Sequence, residues 1–256
     1  MASERHLRGA LDLLTTGRLE DLEEPLRTPV RRLRHLLGDP NVVGIGISEK
    51  LVAGQPAGRL ALTFYVERKI LPNKLKGDRL VPPALPEAIS GPWVIPTDVI
   101  ELGRLRPERH LTTPLTALFQ MLRAQIEEFD LPAVTARPRR GMEVVQPGRG
   151  PARAGFIRDL HFRFVLAYDG VGEIGFRDQV LATRYARSSP TSPLVLDRKT
   201  GRTVGLHFAG SPAGSIFSPI DRVLQVLGER LLVQPRKPPS KAAAPPAKIL
   251  RKGAGA

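Results

Sequence analysis

Apolar residues recur at helical spacing near the start of the chain. Leu7, Leu11 and Leu14 fall at i, i+4 and i+7, so a helix over this segment carries all three on one face. Acidic and basic residues are balanced over the same stretch. We therefore predict that residues 1–40 form an amphipathic helical region that packs on the rest of the chain, rather than a basic arm.

A second, shorter helix is predicted from Pro29 to Leu37. Thr28 is its expected N-cap, Pro29 occupies the first helical position, and Gly38 provides the C-terminal stop.

Two β-type runs follow. Asn41–Ser48 and Arg59–Val66 are joined by a connection containing glycine and proline, of the kind that links antiparallel strands. The proline-rich segment from Pro72 to Pro96 is expected to be extended and irregular, and Thr97–Leu102 is predicted to be a third short strand. These features predict a small α/β region over residues 41–110.

An amphipathic helix is predicted next along the chain. Thr113 can cap it, Pro114 lies in its first turn, and apolar residues form a continuous stripe as far as Phe129. Residues Ala136–Ala154 are then rich in arginine, glycine and proline.

From Gly155 onward the pattern is typical of β-strands. Four strands separated by turn residues are predicted, at Phe156–Tyr168, Gly175–Ala182, Pro193–Leu196 and Arg202–Ala209. A helix over Pro219–Leu232 follows. Beyond Gln234 the chain is rich in proline, alanine and lysine and is expected to be disordered.

The amino-acid composition excludes several classes of protein and of functional site. Of 256 residues, 41% are hydrophobic and 25% charged, which is enough to bury a core. Because the chain contains 0 cysteines, disulfides, thiolate zinc sites and cysteine nucleophiles are excluded. The sequence has neither a long apolar run nor the features of a signal peptide, so no membrane span and a cytoplasmic location are expected.

The net charge is +14, and most of the basic residues are arginine. An acidic partner is one interpretation of this charge, and a GC-rich genome is the other. Candidate anion-binding residues are Arg137, Arg139, Arg140, Arg149 and Arg153. Aromatic residues do not alternate with them and no nucleic-acid-binding motif is present, so only non-specific binding of nucleic acid is considered.

No cofactor or metal is expected from the motifs. The histidines are not closely spaced and HExxH is absent. Val43-Gly44-Ile45-Gly46 continues into an extended run instead of opening a helix, so it does not fit a phosphate-binding loop. These glycines are interpreted as positions of close strand packing or a bulge.

Several motifs occur in a characteristic order between Phe176 and Leu227. They are FRDQ, SSPTSPLVLDRKTG, VGLHFAGS and PIDRVLQVLG, preceded upstream by NVVGIGISEK, LALTFYVERK and PTDVIELG. This order resembles bacterial trypsin-like (chymotrypsin-fold) serine peptidases. In that family an FxDQ strand precedes the nucleophile motif GDSGSPLV, and a PIDxVLxxLG helix ends the chain. The resemblance extends over about two thirds of the sequence.

The resemblance implies a fold, because the family has two six-stranded β-barrels with the catalytic groups between them. For this chain it implies a mainly β protein with α elements, in which the second barrel is retained and the first reduced. The expected organisation is an N-terminal helical region over 1–40, a small α/β region over 41–110, a degenerate trypsin-like domain with a C-terminal helix over 111–233, and a disordered basic tail over 234–256.

The family's catalytic residues have no counterparts here. Aligning SPLV with the end of GDSGSPLV places Ser189 at the aspartate and Pro190 at the nucleophilic serine, and proline has neither a hydroxyl nor an N–H. Motifs like SNNHVLA and DAAIA, which hold the family's histidine and acid, are absent. Weak replacements are Ser189 or Ser192 as nucleophile with His207 or His161 as base. A pocket-wall position for His207 and a surface or core position for His161 are the alternatives.

The predicted function is therefore that of a catalytically inactive homologue, which binds a peptide or protein partner as a scaffold. The candidate peptide groove comprises Ser188, Ser189, Pro190, Thr191, Ser192, His207, Phe208, Ala209, Gly210 and Ser211. One alternative is an active serine endopeptidase with a shifted serine. The other is a basic protein that binds nucleic acid without sequence specificity.

Overall fold

The protein is mainly β, as predicted. The computed structural model describes residues 2–107, 135–147, 153–168, 172–185 and 193–231, with side chains as far as 225. Within these residues, one sheet of 10 strands packs against helices from the N-terminal and C-terminal parts of the chain. The predicted helix over Thr113–Phe129 and the predicted tail beyond Gln234 lie outside the described residues. No helix in the described part of the chain is long and apolar enough to span a membrane.

The first helix confirms the prediction from its apolar spacing. α1 spans Glu4–Thr15, and Leu7, Leu11 and Leu14 are all buried on its inner face. They pack with residues of the second helix and of the first hairpin, so the apolar stripe is what attaches α1 to the sheet.

The second helix is longer than predicted. α2 spans Glu24–Leu37, so the predicted start at Pro29, with Thr28 as N-cap, is wrong. Pro25 already lies in the first turn, where its fixed φ suits a helix start, and Pro29 falls inside the helix. Gly38 is the C-cap, as predicted.

The first two strands form the predicted antiparallel hairpin. β1 spans Val42–Val52 and β2 spans Gln55–Val66, so the predicted connection is itself mostly paired. The turn is made by Ala53 and Gly54, both at positive φ (50° and 78°), which is the two-residue geometry that matches strand twist.

Residues 67–96 are irregular apart from short helical turns, in keeping with their proline content. They contain two 3₁₀ turns, at Pro72–Lys74 and Gly77–Arg79, and the single turn α3, Glu87–Ser90. β3, Thr97–Glu101, then pairs in parallel with β2, where the third strand was predicted.

The remaining elements form the C-terminal half. They are β4 (Arg106–Pro107), β5 (Glu143–Val145), β6 (Gly155–Tyr168), β7 (Gly172–Thr183), β8 (Leu194–Asp197), β9 (Thr203–Gly210), β10 (Gly214–Pro219) and α4 (Ile220–Leu231). The four strands predicted here correspond to β6–β9. The short strands β4, β5 and β10 were not predicted.

Six antiparallel strands close into a ring. The strand order is β6-β5-β8-β9-β10-β7, and β7 pairs back with β6. Because β8 returns to lie beside β5, strands β5–β8 make a Greek key. The ring is not a regular barrel. Its interior is filled by apolar side chains that include Val180, Val195 and Phe217.

A second apolar cluster joins the ring to the N-terminal sheet. We call it the aromatic cluster: it contains Tyr65, Leu102 and Leu105 from the N-terminal half and Phe162, Phe164, Leu166, Leu181, Phe208, Ala209 and Ile216 from the ring, with Phe176 packed against it. β1 also pairs with β6, at Ile45 and Arg163. The two halves therefore share both a sheet and a core.

Candidate functional site

The C-terminal part of the predicted groove is formed by β9 and the residue after it. His207, Phe208, Ala209 and Ser211 are buried, and Gly210 is half-buried. The other part of the groove, Ser188–Ser192, lies outside the described residues, and so do the candidate nucleophiles within it. The described part is thus a covered wall instead of an open trough.

The wall is covered because both edges of β9 are paired near its end. β10 pairs with Ala209 and Gly210 on one side. On the other side β8 begins at Leu194, and just before it the carbonyl of Pro193 accepts the backbone N–H of His207 at 2.7 Å. Beyond that point the edge is taken by β4, with Arg106 opposite Gly210 and Pro107 opposite Ala209.

His207 lies inside this wall. The residue is 5% exposed, and its Nδ1 lies 3.2 Å from the hydroxyl oxygen of Tyr185, which is also buried. The two rings meet edge to face at 5.4 Å. The described contacts of His207 are therefore with Tyr185, in the interior of the ring.

The side chain of Ser211 stabilises the turn between β9 and β10 through hydrogen bonds. Its Oγ accepts the backbone N–H of Gly214 at 3.0 Å and that of Ala213 at 3.3 Å. Its carbonyl oxygen accepts from Nη1 of Arg184 at 3.1 Å. The hydroxyl therefore has a local structural role at the end of the groove.

His161 lies in a different place, between α1 and the ring. Nε2 is 3.0 Å from Oε1 of Glu4, and Nδ1 is 3.7 Å from Oδ1 of Asp178. In a serine peptidase the base needs a serine hydroxyl on one nitrogen and a carboxylate on the other. Here a carboxylate lies at both, so the place a nucleophile would need is occupied by Glu4.

These contacts belong to a larger group of charges that we call the ion cluster. Its members are Glu4 and Asp12 on α1, Arg140, His161 and Arg163 on the ring side, and Asp178 and Arg222. Arg140 binds Glu4 with two parallel hydrogen bonds of 2.9 and 3.0 Å. Arg163 contacts Asp12 and, at 3.5 Å, Asp178.

The cluster keeps two of its carboxylates ionised. The pKa of Glu4 is lowered, first by the hydrogen bond from Arg140. The pKa of Asp178 is held well below its usual range, first by His161 and then by Arg222 and Arg163. Asp178 has φ +48°, a left-handed conformation that aspartate adopts more readily than most residues.

A further carboxylate, Asp159, is fully buried beneath the cluster. It accepts hydrogen bonds from the Tyr65 hydroxyl at 2.9 Å and from the backbone N–H of His161 at 2.8 Å. Burial raises its pKa to about 6, and burial beside this carboxylate also raises the pKa of Tyr65. A Cβ at Gly46 would overlap Oδ2 of Asp159, which explains this glycine.

Sequence reasoning missed the carboxylates of this cluster. The sequence carries no clear signal for Asp159, because β6 also carries Arg158, His161 and Arg163, and only the close approach of Asp159 to Gly46 in the fold distinguishes it. Register irregularities in β6 on either side of Asp159 turn its side chain inward.

The candidate anion-binding arginines differ in their surroundings. Arg140 is engaged by Glu4, whereas Arg137, Arg139 and Arg153 are exposed. Arg149 lies outside the described residues. Among the residues that can be described, no group of three or more histidine, aspartate or glutamate side chains is arranged to hold a metal ion.

Comparisons with known proteins do not extend this picture. No protein-family model matches the chain, and no curated protein matches it. Function must therefore be inferred from the site itself.

Proposed function

We propose that the protein is a catalytically inactive trypsin-like homologue that binds an extended peptide segment of a protein partner along the edge of β9. The observation that carries this proposal is the pairing of β9 with Arg106–Pro107. A strand edge that already accepts an extended segment is suited to accept another, since main-chain hydrogen bonds supply affinity for many sequences.

The order of elements supports the trypsin-like ancestry. FRDQ lies on β7, SPLVLD runs into β8, VGLHFAG forms β9 and PIDRVLQVLG begins α4. Six antiparallel strands close the ring, which is the number that the resemblance implies for one barrel. The ring and helix are retained as a frame although the sequence motifs of the triad are absent.

The surroundings of His161 support a role without catalysis. His161 has carboxylates at both nitrogens, and His207 is buried against Tyr185. A general base must reach the proton of its nucleophile, within about 3.2 Å or through one water. At His161 the positions that a nucleophile and its hydroxyl proton would need are occupied by Glu4 and Asp178.

Two measurements test the proposal together. A fluorophosphonate probe, applied to the folded protein beside an active serine peptidase as positive control, should give no adduct. A phage-displayed library of extended peptides should yield binders whose affinity survives in the Ser189→Ala and Ser192→Ala variants. A covalent adduct, or peptide cleavage that is lost in either variant, would establish the serine peptidase alternative instead.

A further inference from the structure

The segment that covers β9 begins at the end of the N-terminal sheet. We call Leu102–Pro107 the strap. Its first residue is tied down, because the backbone N–H of Leu102 donates to the carbonyl of Val66 at 2.8 Å. Leu102 and Leu105 are buried in the aromatic cluster, whereas Arg104 and Arg106 between and after them are exposed. The strap thus presents its two leucines to the ring and its two arginines to solvent.

The strap fits closely over the turn between β9 and β10. Gly103 has φ +82°, and a Cβ there would lie 2.9 Å from Cδ of Pro212. A Cβ on Gly214 would lie 2.7 Å from Cδ1 of Leu102. Glycine is therefore required on both surfaces at this contact. The strap then ends in β4, which pairs with Ala209 and Gly210.

The last part of this contact is short. β4 is 2 residues long, and one of them is a proline without an N–H to donate. A longer extended segment could make more main-chain hydrogen bonds to the same edge.

We infer that the strap is an internal ligand of the β9 edge, and that a partner binds by displacing it. This inference rests on the proposed function. The partner segment is an extended peptide. One of its apolar side chains takes the place of Leu105, and the residues after it pair with Gly210 and Ala209 of β9. A closed strap blocks the β9 edge, so the apparent affinity for the peptide falls as the closed fraction of molecules rises. A variant in which the strap opens more often should therefore bind the peptide more tightly.

The probe for this inference is a labelled peptide, LGRLRP, which copies the strap. Binding is measured by fluorescence anisotropy to wild type and to Gly103→Val, whose side chain must push the strap off Pro212. Gly91→Val is the matched control, because Gly91 also has positive φ (+59°) but nothing within 4 Å of a Cβ. We expect Gly103→Val to bind at least about tenfold more tightly than wild type or Gly91→Val. The peptide LGRDRP, without the apolar side chain, should not bind.

A reversible lock provides a second test that does not depend on loosening the fold. Since the chain has 0 cysteines, Arg106→Cys with Gly210→Cys places one cysteine pair across the β4–β9 register. The oxidised protein should lose LGRLRP binding by at least about tenfold relative to the same sample after reduction.

The outcomes separate the two proposals. Equal binding of LGRLRP to wild type, Gly103→Val and both lock states would overturn the strap as a competitor. Absence of binding in every state would do the same. Neither result changes the peptide-library and fluorophosphonate measurements, which decide the proposed function independently.

Discussion

At the scale of single residues, the ionisation of Asp159 depends strongly on the groups that surround its carboxylate. Its carboxylate is fully buried, and burial opposes its ionisation while three donors favour it: the Tyr65 hydroxyl and the backbone N–H groups of Ile47 and His161. The desolvation effect is the larger, because the pKa is raised to about 6. The contribution of Asp159 to the stability of the fold therefore depends on pH.

The first prediction concerns the space that Gly46 leaves for this carboxylate. Gly46→Ala should destabilise the protein by about 1–3 kcal/mol, because its Cβ would overlap Oδ2 of Asp159 and the buried group has nowhere to move. Urea unfolding followed by far-UV circular dichroism measures this. Gly175→Ala is the control within a strand, since nothing lies within 4 Å of its Cβ. Equal destabilisation by both substitutions would contradict the proposed overlap.

The second prediction is a pH dependence of stability. Between the unfolded pKa of 3.8 and the folded pKa of about 6, the folded protein holds a proton on Asp159 that the unfolded chain has released. Stability from this group therefore falls as pH rises. Relative to Asp159→Asn, wild type should lose about 2 kcal/mol between pH 4 and pH 7.

Comparing the two proteins at each pH cancels the opposite contributions of Glu4 and Asp178. Their lowered pKa values give stability that is lost as pH falls. A difference between wild type and Asp159→Asn that stays constant from pH 4 to pH 7 would mean that Asp159 ionises normally in the folded protein.

The role of His161 could not be predicted from the sequence. Its partner Glu4 lies 157 residues earlier in the chain, at the start of α1. Neither spacing nor a motif connects the two positions. Only the docking of α1 on β1 and β6 brings them together, so the interpretation of His161 as a base rested on residue type alone.

At the scale of elements, periodic segments were predictable and short ones were not. The helix carrying Leu7, Leu11 and Leu14, the first hairpin and the four strands β6–β9 all follow from their apolar patterns. β4, β5 and β10 are short, and β10 (GSIFSP) mixes serine with apolar residues between a glycine and a proline. Their strand conformation comes from pairing with neighbours in the ring, which is tertiary information.

The third prediction compares the two ways in which α1 is attached. Leu11→Ala should cost about 2–5 kcal/mol, because Leu11 is fully buried against the sheet. Glu4→Gln should cost about 1 kcal/mol or less, because the Glu4 side chain is 40% exposed and its ion pairs are screened by water.

Trp93 is a natural reporter for α1. It is the single tryptophan, and its ring stacks on His6 of α1 at 4.7 Å. Urea unfolding of both variants can therefore be followed by its fluorescence. If Glu4→Gln proved more costly than Leu11→Ala, the ion cluster rather than the apolar stripe would be the main attachment of α1.

At the scale of the whole molecule, the two halves are joined by the aromatic cluster. The Tyr65 and Phe162 rings meet edge to face at 5.0 Å, and Phe162 stacks on Phe164 at 4.8 Å. The resemblance led to an expectation about the ring, but nothing in the sequence indicated that β1–β3 would extend the same sheet. Nor could it indicate that the strap would cover β9, since that contact joins residues about a hundred positions apart.

The last prediction follows from this shared core. Because Tyr65, Leu102 and Leu105 pack with ring residues, the N-terminal sheet cannot separate from the ring without exposing apolar surface. Unfolding should therefore be one cooperative transition. Trp93 fluorescence reports the N-terminal half and far-UV circular dichroism reports mainly the strands, and their urea midpoints should coincide. Phe162→Ala should lower both midpoints together, by the equivalent of about 3–5 kcal/mol.

A substitution inside the ring tests whether this coupling is general. Val195→Ala removes apolar volume from the ring interior, away from the aromatic cluster. If the molecule is one cooperative unit, Trp93 fluorescence must shift with it as well, although Val195 belongs to a different apolar cluster from the one that contains α1. A Trp93 midpoint that stayed at its wild-type value while the dichroism midpoint fell would show that the ring unfolds by itself. The strap would then span two independently stable parts, and its opening would need no loss of either fold.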